Sequence, residues 1–203
     1  DPSRLRTTLE RGVEVWIQDR ERVLARGRHA QARLVMKAAA TPAGGDPDAS
    51  IVDAVVETLI STYDPEHGGF GTHPKFPSVP ALELLLHSYL VTGNGSRLEM
   101  VERTLDAMGR GGLRDSLEGG FFRYSTTRDW SAPHYEKMLR DNLDLLDLYG
   151  RVYLITGRDE YARVATGVAD YVLSNLYAKG TGMFFGSQDA DEEYYSMSLE
   201  ERR

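Results

Sequence analysis

The sequence predicts an all-α chain of repeated helical hairpins, and three observations carry that prediction. Apolar residues recur at spacings of three and four along most of the chain, the period of an amphipathic helix. No convincing run alternates apolar and polar residues as a half-buried strand does. The stretch Tyr89-Leu90-Val91-Thr92-Gly93 returns as Tyr153-Leu154-Ile155-Thr156-Gly157, 64 positions later, so the helices come as copies of one unit.

Taken in order, Leu5, Leu9, Val13, Trp16, Ile17, Val23 and Leu24 form one apolar stripe among Arg and Glu, a long lead helix with a break expected near Gly27. The run Ala38 to Pro47 has no period and several helix breakers, which marks a linker. This divides the chain into a basic lead segment, 1–40, and a helical domain, 50–203. Ile51, Val52, Val55, Val56, Leu59 and Ile60 then give a helix that stops before Asp64-Pro65. Further helices are expected over 79–92, 96–110, 133–156 and 158–177. In each copy a Thr-Gly turn opens the second helix, and a glycine-aromatic loop follows it: Gly119-Gly120-Phe121-Phe122, then Gly182-Met183-Phe184-Phe185. Gly68-Gly69-Phe70 supplies an earlier loop of the same kind.

A repeated hairpin cannot bury both faces alone, so it stacks as a solenoid or closes into a ring. Short turns at one rim and long polar loops at the other favour a ring with one functional end. Six hairpins at this period need about 380 residues. The 203 residues here fill about half of that, which leaves an apolar hairpin face for a partner or a second copy.

Composition narrows the function. Hydrophobic residues make up 41% and charged ones 27%, and no apolar run approaches the roughly 20 residues of a membrane span. There is no cysteine, which excludes disulfides, thiolate metal sites and dithiol redox chemistry in this chain and fits a cytoplasmic protein. The net charge of −7 is uneven: residues 1–37 carry nine Lys/Arg against five Asp/Glu, the remainder fifteen against twenty-six. An acidic body is a poor partner for nucleic acid, and the basic lead segment is expected to rest on it. The opening Asp1-Pro2-Ser3-Arg4 is neither a starting Met nor a signal segment, as in a chain trimmed from something longer.

Three motifs, in order, carry a resemblance. They are Gly68-Gly69-Phe70-Gly71-Thr72-His73-Pro74-Lys75-Phe76-Pro77, then Gly119 to Ser125 with Trp130 and Pro133-His134-Tyr135-Glu136-Lys137-Met138-Leu139, then Ser187-Gln188-Asp189-Ala190-Asp191. They resemble the YyaL-like family, also called spermatogenesis-associated thioredoxin-like proteins, over roughly residues 50–195. The resemblance implies a thioredoxin-like domain upstream. It also implies part of an (α/α)6 toroid, similar to N-acylglucosamine 2-epimerases and six-hairpin glycosidases. By fold analogy the ligand is small, polar and sugar-like, and the activity a 2-epimerase-like isomerase or a glycosidase-like hydrolase. The alternative is a non-catalytic scaffold for the thioredoxin-like module.

The loop residues supply candidates for either role. Ser131 is read as a helix cap with Pro133 in the first turn, so that His134, Glu136 and Lys137 sit at a helix N-terminus suited to anions and Asp141 lies two turns on along one face. His134 and Glu136 are the candidate acid–base pair, and bracing the helix is their other reading. Asp189 and Asp191 are the candidate second carboxylates across a cleft, or turn and cap residues in solvent. His73, Lys75, Arg123, Tyr124 and Trp130 are candidate ligand contacts, the aromatics for stacking on a sugar ring or for packing under glycine turns. No metal and no cofactor is expected, since no calcium-loop or His-Glu-x-x-His pattern occurs.

Overall fold

The computed structural model describes residues 2–39, 49–198 and 200–202. The chain divides into two compact units, 1–49 and 50–203. In the first, α1 (Pro2–Gln18) and α2 (Arg20–Ala39) are separated at Asp19, not near Gly27. Helical hydrogen bonds still run through this point, with Asp19 N–H on the Val15 carbonyl at 3.0 Å and Val23 N–H on that of Asp19 at 3.1 Å, and Gly27 stays within α2 because an isolated glycine costs a helix only about 1 kcal/mol. Residues 40–47 of the expected linker lie outside the described residues.

The second unit begins with α3 (Ala49–Thr62) and continues as two hairpins, α4 (Val79–Thr92) with α5 (Gly95–Arg110), and α6 (Leu139–Thr156) with α7 (Asp159–Tyr171). The repeated Thr-Gly turn has one geometry in both. Gly93 and Gly157 take left-handed backbone at φ 71° and 70°, and their N–H groups cap the carbonyls of Tyr89 and Tyr153. Asn94 then starts α5 by accepting from the Ser96 N–H at 3.2 Å. The core lies between the hairpins: Leu82, Leu85, Leu105, Met108, Leu145, Leu148 and Val152 are fully buried. Tyr149 of α6 is buried among them, stacks on Phe121 at 5.6 Å and donates its hydroxyl to the Leu105 carbonyl at 2.7 Å.

The chain departs from the expected helices after each outer helix. A π-helical turn, Val172–Leu176, ends α7. Residues 133–138 are not the start of a helix. They form β2 (Pro133–His134), antiparallel to β1 (Tyr124–Ser125), and β3 (Lys137–Met138), antiparallel to β6 (Ser187–Gln188). Their N–H and carbonyl groups are taken by neighbouring loops, with Arg123 N–H on the Glu136 carbonyl at 2.7 Å and Thr126 N–H on that of Ala132 at 2.8 Å, so α6 can begin only at Leu139. Hence Ser131 caps no helix, and His134 and Asp141 share no helical face. A third ladder pairs β4 (Tyr177–Ala178) with β5 (Met183–Phe184), and a short α8 (Glu192–Ser196) follows. No described helix is long and apolar enough to cross a membrane.

Candidate functional site

The glycine-aromatic loops are built to one plan. Tyr63 bridges Phe70, Arg114 bridges Phe121 and Tyr177 pairs with Phe184, each across seven positions. In the first loop Asp64 accepts the N–H groups of Glu66 and His67, and its own N–H closes on the Gly69 carbonyl. In the second, Asp115 does the same with Leu117, Glu118 and Gly120. Each Asp also holds a buried lysine: Lys75 Nζ reaches Asp64 at 2.7 Å, and Lys137 Nζ reaches Asp115 at 2.8 Å, both lysines fully enclosed. An arginine from the following loop closes each pair, Arg128 onto Asp64 at 2.8 Å and Arg202 onto Asp115 at 3.3 Å. Burial alone would raise these carboxyls, but the lysine hydrogen bond, with Arg128 at Asp64, outweighs it and holds both below the ordinary range.

Lys75, Lys137 and Trp130 are therefore committed inside the loops. Trp130 is fully buried, donates its indole N–H to the His67 carbonyl at 2.9 Å and lies under the Lys75 ammonium, 5.1 Å from the ring centroid. Asp191 accepts the Tyr194 N–H at 3.0 Å as the cap of α8, and Asp189 sits exposed in the preceding turn. His73 is exposed beside the first loop.

Four of the predicted residues do come together. Strand β1 brings Tyr124 to His134 of β2, and the two rings stack at 4.8 Å, with Phe76 tilted against Tyr124 at 4.9 Å. Glu136, two residues past His134, receives Arg123 Nη1 at 2.9 Å and lies 3.9 Å from His134 Nε2. Asp141 adds a half-buried carboxyl to this field. Burial raises its pKa, Arg123 opposes the rise, and the charges of Asp144 and Glu136 add to it. Asp189 follows β6, one position past the Lys137–Gln188 pair at which the β3–β6 ladder ends, and its side chain is exposed. The surface so formed offers ring faces, the Arg123 guanidinium, the His134 imidazole and the carboxyl groups of Glu136 and Asp141.

A cavity of about 470 Å³ opens nearby between the second and third loops, lined by Glu118, Asn175, Phe185, Gln188, Tyr194 and Arg202 among others. Its carboxylate is already engaged, since Glu118 accepts from Tyr194 at 2.6 Å, Asn175 at 3.3 Å and Arg202 at 3.4 Å. Among the described residues no group of three His, Asp or Glu side chains is placed to hold a metal ion. Lys75 and Lys137 were singled out as candidate ligand contacts, but their aspartate partners, Glu118 and Phe76 were not singled out by sequence reasoning. The signal for the lysine partners was available, because Asp64 and Asp115 stand at the same distance before Gly69-Phe70 and Gly120-Phe121.

No protein-family model matches the chain. Over 195 residues, 92% of the chain, it is 36% identical to spermatogenesis-associated protein 20 of Rattus norvegicus. It spans 24% of the length of that relative. Among solved structures it superposes on a cellobiose 2-epimerase from Spirochaeta thermophila with a TM-score of 0.60 and 18% identity, covering 73% of this chain and 40% of that one. A GH76 α-mannanase from Bacteroides thetaiotaomicron superposes with a TM-score of 0.54 and 15% identity, covering 65% and 39%. The chain is thus a homologue of one stretch of spermatogenesis-associated protein 20, carried on the (α/α) toroid fold of sugar epimerases and glycosidases.

Proposed function

We propose that the loop end of this chain binds a sugar or sugar-like ligand at the Tyr124–His134–Glu136 surface. The observation that carries the reading is the convergence there of Arg123, Glu136 and His134 beside the stacked Tyr124 and His134 rings, with Phe76 tilted against Tyr124. A sugar ring offers an apolar face to aromatic side chains and hydroxyl groups to carboxylates and guanidinium, which is the chemistry this surface presents. His134 and Glu136 are the acid–base pair of an isomerase or hydrolase, and Asp189, next to Gln188 at the end of the β3–β6 ladder, is the second carboxylate. The epimerase and glycosidase neighbours support this by fold analogy.

A thermal-shift screen of the chain against amino sugars, N-acetylated sugars, sugar phosphates and short oligosaccharides tests it. At a ligand concentration near 100 Kd the expected stabilisation is about 2.7 kcal/mol, a rise of several degrees in Tm. The rise should vanish in a Glu136→Gln, Asp189→Asn variant. No shift with any sugar, or an equal shift in the variant, overturns the proposal.

The commitment of Asp64, Lys75, Asp115, Lys137 and Trp130 to internal bracing favours a second reading, a scaffold for a thioredoxin-like module. The basic lead helix would make the contact through Trp16, whose ring carries the Arg20 guanidinium at 5.1 Å. Titrating the chain with a separately expressed thioredoxin-like domain from a full-length relative should then show saturable binding that Trp16→Ala weakens. Absence of binding at high concentration sinks this reading.

A further inference from the structure

Along one edge of the second hairpin, Leu139, Leu143 and Leu146 of α6 and Ala169 of α7, with Val172, Leu173 and Phe184, line an apolar groove of about 350 Å³. Leu143, Leu173 and Phe184 are 44%, 55% and 46% exposed. The internal repeat says what such a groove is for. Shifted back by the repeat, Leu143, Leu146 and Ala169 correspond to Val79, Leu82 and Leu105, and Phe184 to Phe121 of the preceding loop. Those four are buried, at 7%, 0%, 0% and 0% exposure. The cover over Leu105 and Phe121 is α6 itself: Tyr149 stacks on Phe121 at 5.6 Å and bonds the Leu105 carbonyl at 2.7 Å, while Asn142 accepts the Phe121 N–H at 2.7 Å. The groove is the same seat one repeat later.

We propose that the α6–α7 groove is a docking site for an amphipathic helix of α6's own pattern, the first helix of a further hairpin, with an aromatic or aliphatic side chain over Phe184 in the place Tyr149 takes over Phe121. The occupant follows from continuity with the interface already formed between the hairpins. The lengths agree, since the chain spans 24% of its curated relative and 40% of the epimerase it superposes on.

The test uses the intact chain and, as probe, a fluorescently labelled synthetic peptide with the sequence of residues 139–156, followed by anisotropy. Saturable binding is expected. Leu173→Lys or Leu143→Lys should weaken it by about tenfold or more, since a charge then faces the apolar helix. Both side chains are about half exposed, so the variants should melt with the wild type, which separates loss of docking from loss of fold. A peptide carrying Tyr149→Ala should bind more weakly than the parent. Binding untouched by Leu173→Lys would mean that the peptide exchanges into the seat of α6, and it overturns the proposal. Absence of peptide binding overturns it as well. If self-association by sedimentation is then lost in Leu173→Lys, a second copy is the occupant instead.

Discussion

Asp115→Ala should lower the unfolding free energy of the helical unit by about 3–5 kcal/mol, because it leaves the Lys137 ammonium buried beside the Gly119 carbonyl without its main counter-charge. Against the roughly 5–15 kcal/mol that holds a domain, this is enough to leave much of the protein unfolded at 37 °C. Urea denaturation followed by circular dichroism measures it. The double change Asp115→Leu with Lys137→Met should recover most of the loss, since an apolar pair of similar volume removes both desolvation costs. The pH dependence has a definite sign. Burial pushes Asp115 up, but Lys137 and the Leu117 and Glu118 amides hold it below the ordinary carboxylate range. Its contribution is therefore complete above the unfolded value near pH 4 and is lost as pH falls through the depressed folded value. The double variant should show less acid sensitivity than wild type. If Asp115→Ala costs less than about 1 kcal/mol, water reaches Lys137 and the enclosed pair is not a stabilising element.

Gly120→Ala should be comparably damaging for a steric reason. Gly120 has φ 73°, and a Cβ there would meet Cδ1 of the Tyr171 ring at 2.4 Å. The left-handed backbone costs a side-chain-bearing residue about 1–3 kcal/mol, and overpacking against a buried ring adds about 1–3 kcal/mol. Gly93→Ala is the control. It has φ 71° with nothing within 4 Å of the added Cβ, so it should show the backbone cost alone. Equal melting temperatures for the two variants would show that the Tyr171 ring moves aside.

The helices were legible because their signals are local. The apolar period and the two Thr-Gly turns locate α4 over 79–92 and α5 within one residue, and the positive φ at Gly93 and Gly157 is what those glycines are for. The segment 131–138 was not, although Ser131 and Pro133 have the residue types of a helix start. Its backbone partners include Gln188, far along the chain, and a tertiary ladder outcompetes a local propensity. Of the candidate site, Arg123, Tyr124, His134 and Glu136 could be read from their shared loop class, but not their stacking and ion pairing. Lys75 and Lys137 misled in an instructive way. A lysine is rarely enclosed unless paired, and the pairing was visible only by setting Asp64 and Asp115 at equal distances before their Gly-Phe turns.

The sealing of each loop by the next has a consequence for the chain as it leaves the ribosome. Asp64 receives Arg128 only after 64 more residues have been made, and Asp115 receives Arg202 only after 87. During synthesis each loop therefore waits for the one behind it, its aspartate already paired with the enclosed lysine but not yet held by the arginine. The growing protein should gain protease resistance in steps that lag one hairpin behind translation. Ala178 occupies in the third loop the place of the two aspartates, following Tyr177 as Asp64 follows Tyr63. That loop buries no carboxylate at this position, so no later arginine is needed to complete it.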